Sequence, residues 1–170
     1  MLTEFLSEES IVLHKEYLKQ LRLKYSIIES CLPKIKGVKM TDLSRLGLNR
    51  RDRRDVLHLL PEIALHEIYF SSFLATPYAR SEYVARTFGS EAAYLNRLLG
   101  IAKNSIYGFL IIGRGGAASV VMDYKDAFIH SEPILAVDLC EHAYFLDYGF
   151  DKERYLISCL SHLDLTKITS

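Results

Sequence analysis

The chain has 170 residues and a mass of 19.5 kDa, which suits one domain or two small halves that share a core. Hydrophobic residues make up 49% and charged residues 25%, as in an ordinary globular protein. The 21 basic and 21 acidic residues cancel, so no global field attracts nucleic acid or an anionic membrane. No apolar run approaches the roughly 18 residues that a membrane span needs.

Cysteine usage and the first residues indicate a reducing compartment. The three cysteines, Cys31, Cys140 and Cys159, form no CxxC pair and are odd in number, so neither a disulfide framework nor a cysteine zinc site is expected. The opening MLTEFLSEES lacks the basic start and apolar centre of a secretory signal. We therefore expect a cytoplasmic protein.

Helical patterns dominate the first half of the chain. Apolar side chains recur near helical spacing over residues 8–30, with Ser7 as a plausible N-cap. A short helix is predicted over 41–48, and a second long helix over 52–74. Pro61 lies inside this second helix and should kink or divide it, because proline lacks the N–H that the helical ladder needs.

The pattern changes in the second half of the chain. A helical region over 81–104 is divided by Gly89. Three strands and two short helices are predicted after it, at 107–113, 118–123, 133–139, 141–148 and 152–162. Helices followed by a small antiparallel sheet with helices around it indicate an α+β fold.

A basic run opens the second long helix. Residues 50–54 include four arginines, which could form a phosphate site. Asp52 and Asp55 interrupt the run, so a solvated helix start is the favoured interpretation.

The chemistry concentrates in the stretch PILAVDLCEHAYFLDY, residues 133–148. A buried strand ends at Asp138, and His142 follows four residues later, so a strand-to-helix junction could aim both side chains at one point. Carboxylate plus imidazole suits iron, manganese or zinc. His14 and His66 fall on or beside apolar faces of the long helices. Taken alone, each histidine is more often a core residue and Asp138 could be an N-cap, and spacing by itself cannot bring the four together.

The stretch DLCEHAYF, residues 138–145, resembles the D-x-W-E-H-A-Y-Y signature of the iron and manganese superoxide dismutases, from which it differs at Cys140 and Phe145. Three further stretches resemble the family's first ligand helix, its second ligand helix and the segment that leads into its first strand: LSEESIVLH (6–14), ALHEIYF (64–70) and TFGSEAAYLNRLLGIAKNSIYGFLII (87–112). The resemblance covers about residues 6–160 and is to a divergent, shortened member, because the arm that precedes the first helix in most members is missing.

The resemblance implies an N-terminal helical hairpin domain over 1–78 and a C-terminal α/β domain over 79–170 with a three-stranded antiparallel sheet. It also implies one iron or manganese ion per chain, held by His14, His66, Asp138 and His142. Iron is preferred, because Ala136 and Glu62 occupy positions that resemble the iron type more than the manganese type.

The implied activity is the disproportionation of superoxide to dioxygen and hydrogen peroxide. The small substrate offers no group that a pocket could recognise, so the sequence carries no substrate motif of its own. A homodimer is implied as well, because the family's glutamate, here Glu141, bonds across a two-fold axis to the partner's ligand histidine, here His142. That axis would also bring Phe145 near the partner's Leu18.

The departures from the family pattern cluster around the metal position. Leu18 and Arg22 replace a gateway histidine and tyrosine on the first helix, and Phe145 replaces the tyrosine that meets this gateway from the other subunit. Cys140, Tyr107 and Phe70 stand where the family has a tryptophan-lined pocket.

The candidate catalytic residues are therefore Glu62, Arg22 and Lys125. Glu62 stands where the iron type has a glutamine, and Lys125 or a neighbour stands where the manganese type has one. An ionised Glu62 can only accept hydrogen bonds, a protonated one can donate, and a carboxylate could also ligate the metal directly. Lys125 could pair with Glu62 if it lies nearby.

Two interpretations remain open from the sequence. One is a divergent but active dismutase. The other is a metal-binding, superoxide-dismutase-like protein with altered or lost activity, such as a redox sensor, a storage protein or a scaffold.

Overall fold

Two long antiparallel helices form the first part of the fold. The structure is a computed structural model, and it describes residues 2–38, 42, 45–128 and 132–170. Helix α1 spans Glu8–Cys31 and helix α2 spans Arg50–Ser71. The side chain of Ser7 accepts the N–H of Ser10 and caps α1, which confirms the predicted N-cap. Asn49 caps α2 in the same way.

Helix α2 runs through Pro61 without being divided. Of the two predicted outcomes, division is wrong and a kink stays a prediction. A proline removes one N–H from the ladder, which weakens a helix at that point. The helix buries side chains on both sides of Pro61, namely Val56, Glu62, Ile63, Leu65 and His66. Packing of these side chains offsets the missing bond. The short helix predicted over 41–48 falls partly outside the described residues, at 41, 43 and 44, and stays a prediction.

Two shorter helices lead from the helical pair to the sheet. Helix α3 spans Glu82–Phe88 and helix α4 spans Glu91–Ala102. Gly89 separates them with a φ of 90°, a left-handed conformation that glycine adopts without steric strain. The predicted division at Gly89 is therefore confirmed, and the side chain of Ser90 caps α4.

The sheet contains three antiparallel strands in the order β2-β1-β3. Strand β1 spans Phe109–Gly113, β2 spans Ala118–Val121 and β3 spans Pro133–Asp138. Phe109 pairs with Asp138, so the last residue of β3 lies at the start of the central strand. Helices around a small antiparallel sheet confirm the predicted α+β fold.

The remaining elements are short. A 3-10 helix spans Glu141–Ala143, helix α5 spans Phe145–Tyr148 and helix α6 spans Lys152–Ser161. Further 3-10 helices occupy Leu2–Glu4, Pro33–Ile35, Tyr124–Phe128 and Leu165–Lys167.

One large core joins the two halves of the chain. Leu65 and Tyr69 of α2 are fully buried in the same cluster as Phe109 and Val137 of the sheet. Helix α2 therefore packs directly on β3, and side chains from the helical pair reach the end of that strand. Within the part of the chain that the structure describes, every helix is too short or too polar to cross a membrane.

Candidate metal centre

Four side chains from four separate elements meet at one point. They are His14 of α1, His66 of α2, Asp138 at the end of β3 and His142 of the following 3-10 helix. One donor atom from each lies within 4.8 Å of all the others. The structure therefore brings together the four residues that the sequence singled out.

The spacing of the donor atoms suits a single ion. Oδ2 of Asp138 lies 2.9 Å from Nε2 of His142, 3.2 Å from Nε2 of His14 and 3.4 Å from Nε2 of His66. Nitrogen and oxygen ligands about 2.0–2.2 Å from one transition-metal ion stand roughly 3–4 Å from each other. Three imidazoles and one carboxylate are also a donor set that iron and manganese accept.

Unpartnered polar atoms point to the same conclusion. Within the described residues, Oδ2 of Asp138 and both ring nitrogens of His14 are buried without an aligned hydrogen bond. Buried polar atoms almost always have a partner, and a buried carboxylate is unfavourable unless it is paired or binds a metal. A cation among the four donors would satisfy Oδ2 of Asp138 and Nε2 of His14 together.

Neighbouring groups orient the donors toward this point. Nδ1 of His66 donates to the backbone oxygen of Glu62, one turn earlier in α2, at 2.7 Å. This bond fixes the proton on Nδ1 and leaves the lone pair of Nε2 facing the other donors. Oδ1 of Asp138 accepts the N–H of Cys140 at 2.9 Å, which leaves Oδ2 facing inward.

Burial and mutual attraction set the charges of the donors. Burial lowers the pKa of His14, so this ring is neutral at pH 7, the state that binds a metal. Burial would raise the pKa of Asp138, but polar contacts from the three imidazoles outweigh it and hold the pKa well below the usual value. Burial opposes charge on His142 too, yet Asp138 outweighs it and raises the pKa of this ring.

Tyr17 lies against the site, although the sequence pattern indicates only that it belongs to the helix predicted over residues 8–30. Its hydroxyl donates to Oε1 of Glu62 at 2.7 Å, and its ring centroid lies 4.5 Å from that of His142. Burial and Glu62 raise the pKa of Tyr17, so the phenol keeps its proton. The available signal was the spacing of three residues from His14, which places both side chains on one helix face.

The three candidate catalytic residues lie in different surroundings. Glu62 is only 8% exposed and borders the site through Tyr17, but it lies outside the four-donor group. Arg22 instead forms a half-exposed ion pair with Glu67 at 2.7 Å. Lys125 pairs with Asp123, and within the described residues no ion pair joins it to Glu62. Their catalytic roles stay predictions.

Cys140 occupies one of the positions where the resemblance expects tryptophan. Its Sγ accepts the N–H of Gly108 at 3.4 Å and lies 3.8 Å from the hydroxyl of Tyr124. Burial and the nearby Asp138 raise the pKa of Cys140 to about 12, so the thiol is neutral. Phe70, at a second such position, lies with its ring centroid 5.0 Å from that of His14.

Fold and site together define an α+β chain with a candidate nitrogen-and-oxygen metal centre between a helical pair and a small sheet. Residues 78–170, more than half of the chain, match the C-terminal domain of the iron/manganese superoxide dismutases. The chain belongs to the iron/manganese superoxide dismutase family. A search of curated proteins finds no significant match.

Proposed function

We propose that the protein is a metal-dependent superoxide dismutase, which converts superoxide to dioxygen and hydrogen peroxide at a mononuclear centre. The observation that carries this proposal is the buried Oδ2 of Asp138, surrounded at 2.9–3.4 Å by three imidazole nitrogens. When bound, iron or manganese would supply the redox chemistry, taking an electron from one superoxide and giving it to another.

The proposed ligands differ in charge and therefore in role. His14, His66 and His142 would bind as neutral imidazoles and fix the geometry. Asp138 would bring a negative charge, which favours the more highly charged state of the metal. The low pKa of Asp138 supports this role, because the carboxylate keeps its charge even in a buried position.

Tyr17 and Glu62 are the proposed proton-handling pair. The reaction consumes protons, and the phenol of Tyr17 is a neutral O–H that lies against His142. Its hydrogen bond to Oε1 of Glu62 holds the hydroxyl in place and gives its proton a defined acceptor. Because Tyr17 is 36% exposed, solvent can reach this side of the site.

Iron is the proposed metal. Glu62 precedes His66 by one helical turn, at the position where the resemblance places the glutamine of the iron type. Ala136, buried on β3 two residues before Asp138, supports the same choice. Activity of the protein reconstituted separately with iron and manganese tests this proposal, and higher activity with manganese would refute it.

One observation favours a second candidate, a superoxide-dismutase-like metal protein with altered or lost activity. A buried carboxylate, Glu62, stands beside the site where the family pattern has an amide, and it accepts rather than donates in the bond to Tyr17. Arg22 and Lys125 are engaged in ion pairs with Glu67 and Asp123. A redox sensor, storage protein or scaffold would tolerate these features.

The family also supports a proposal about the organisation of the protein. We propose two domains, 1–78 and 79–170, and the family match that starts at residue 78 supports this division. We propose a homodimer through Glu141 and His142, both of which are exposed in the single chain. Its cytoplasmic location stays a prediction.

A superoxide assay on metal-loaded wild type and on Glu62→Gln decides between the two candidates. We expect wild type to exceed free metal in solution and Glu62→Gln to exceed wild type, because the amide adds a donor. The control is Glu16→Gln on α1, which removes an exposed carboxylate that pairs with Lys19 and Gln20. If neither wild type nor Glu62→Gln exceeds free metal, the dismutase proposal fails.

A further inference from the structure

A second cluster of charged side chains lies at the start of α2, outside the four-donor group. A cavity of about 320 Å³ opens there. Helix α2 contributes Arg50, Arg53, Arg54 and His58 to its wall, and the segment after β2 contributes Lys125 with its partner Asp123. We call this cavity the arginine pocket. The acidic residues Asp52 and Asp55 within and after the arginine run predict a solvated helix start at this position instead.

Helical geometry directs these side chains into one space. Arg53, Arg54 and His58 follow Arg50 by three, four and eight residues, which is the spacing of a single helix face. Arg51 falls between them and does not line the pocket. Three of the four arginines therefore line the pocket, and Arg51 points away from it.

This arrangement is electrostatically unfavourable without an anion. Like charges three and four residues apart repel each other, as Arg50 does with Arg53 and Arg54. Cations in the first turn of a helix also oppose the helix dipole, which favours negative charge there. A bound anion would relieve both effects together.

The nearby carboxylates do not neutralise the pocket. Asp52 is held by Asn49, whose amide donates to it at 2.7 Å. Asp55 pairs with Arg54 at 3.4 Å, and Asp123 with Lys125. Within the described residues, Arg50 and Arg53 form no ion pair, although Arg53 donates to the backbone oxygen of Leu46 at 3.5 Å.

We propose that the arginine pocket binds a small multivalent oxyanion of the phosphate class. Guanidinium groups bind phosphate oxygens through paired N–H donors, and two arginines without an ion pair face one cavity. The volume is near the lower limit of small-molecule sites, which suits phosphate or diphosphate. A chain of zero net charge has no global field that would attract a nucleic acid, which favours a small ligand.

The pocket is distinct from the candidate metal centre but adjoins its surroundings. Arg54 and His58 also line a groove between α1 and α2 that reaches Tyr17 and Glu62. The proposal rests on the cavity and its charges alone and holds whether or not the protein is a dismutase.

Isothermal titration with sodium pyrophosphate and with inorganic phosphate, at ionic strength fixed by sodium chloride, tests the proposal. We expect wild type to bind, and the double variant Arg50→Gln/Arg53→Gln to bind at least about tenfold more weakly, because each lost charge-assisted contact is worth roughly that factor. Arg51→Gln, the same change on the outward face, should retain wild-type affinity.

Thermal unfolding of the same variants without ligand distinguishes lost binding from lost folding. Removing two repelling charges should leave the unfolding midpoint of the double variant equal to or above that of wild type. Absence of wild-type binding to both anions at millimolar concentration would overturn the proposal, as would equal weakening by Arg51→Gln. Binding of a single-stranded oligonucleotide without binding of pyrophosphate would assign this face to nucleic acid instead.

Discussion

The hydroxyl of Tyr17 donates a 2.7 Å hydrogen bond to Oε1 of Glu62 across the contact between α1 and α2. The ring of Tyr17 lies 4.5 Å from that of His142, centroid to centroid, and Glu62 accepts the ring N–H of His66 through its backbone oxygen. One pair of residues therefore links both long helices to two of the proposed ligands.

Tyr17→Phe should lower the free energy of unfolding by about 1–3 kcal/mol, because the buried Glu62 loses its hydrogen-bond donor. Urea denaturation of the metal-free protein measures this change. Tyr25→Phe is the matched control on the same helix, since within the described residues its hydroxyl makes no hydrogen bond, and it should change stability by less than about 0.5 kcal/mol. Equal effects of both variants would show that the bond contributes nothing.

His142→Ala should weaken metal binding, so that the purified variant carries less than one ion per chain. Removing one of four donors leaves Asp138 and two imidazoles, which can still bind an ion but hold it more weakly than all four. Elemental analysis of purified protein should give one ion per wild-type chain and a lower content for the variant. His58→Ala removes an exposed imidazole outside the four-donor group and should retain full metal content. Unchanged metal in His142→Ala would refute the site.

Metal affinity should increase as the pH rises above neutrality. Asp138 raises the pKa of His142, so the metal-free protein holds a proton there at pH values where an ordinary histidine has lost it. Binding must displace that proton, so affinity falls as the pH is lowered. Titration calorimetry in two buffers of different ionisation enthalpy should detect proton release near pH 6.5 and less at pH 8.5.

The contribution of His142 to the stability of the metal-free protein should show the opposite dependence on pH. The raised pKa of His142 contributes stability that is fully present below the ordinary value of 6.5 and is lost as the pH rises through the raised value. The lowered pKa of Asp138 contributes stability that is present above 3.8 and is lost in stronger acid. The lowered pKa of His14 has the opposite effect, because the unfolded chain binds this proton more readily and stability is lost as the pH falls below 6.5. The contribution of His142 is therefore measured as the difference in unfolding midpoint between wild type and His142→Ala, and a difference in favour of wild type that grows from pH 5 to pH 9 would contradict this expectation.

Gly108→Ala should destabilise the protein by about 2–4 kcal/mol. Gly108 has a φ of 101°, and an added Cβ would lie 2.2 Å from the backbone oxygen of Val121. Gly100→Ala is the control, because this glycine is exposed within α4 with open space around it. That change should stabilise the helix by roughly 0.5–1 kcal/mol. Denaturant unfolding of both variants measures whether Gly108→Ala lowers and Gly100→Ala raises the free energy of unfolding.

The protein should be a homodimer at micromolar concentration, and Glu141→Ala should weaken it. Phe145 and Phe150 are 46% and 90% exposed beside Glu141, as expected of a surface that another subunit covers. Leu18, the predicted partner of Phe145, is only 6% exposed, so that contact would be small. Light scattering measures the mass, and a wild-type monomer would contradict the prediction.

Local sequence patterns located most elements of the fold. Ser7 and Gly89 mark a helix start and a helix division because a cap and a left-handed turn depend only on neighbouring residues. The strand that ends at Asp138 is likewise visible as a buried apolar run. Pro61 shows the limit, since packing of α2 against other elements decided whether the helix continued.

By itself the sequence determined which residue types could form a metal site, and the family resemblance selected His14, His66, Asp138 and His142 among them. Only the tertiary structure decided that their donor atoms converge, because α1 and α2 must pack on β3 before residues more than 70 positions apart can touch. The tertiary structure also decided which side chains lie next to the site, because side-chain direction depends on packing rather than on spacing along the chain. That is why Tyr17 borders Glu62 while Lys125 turns to Asp123.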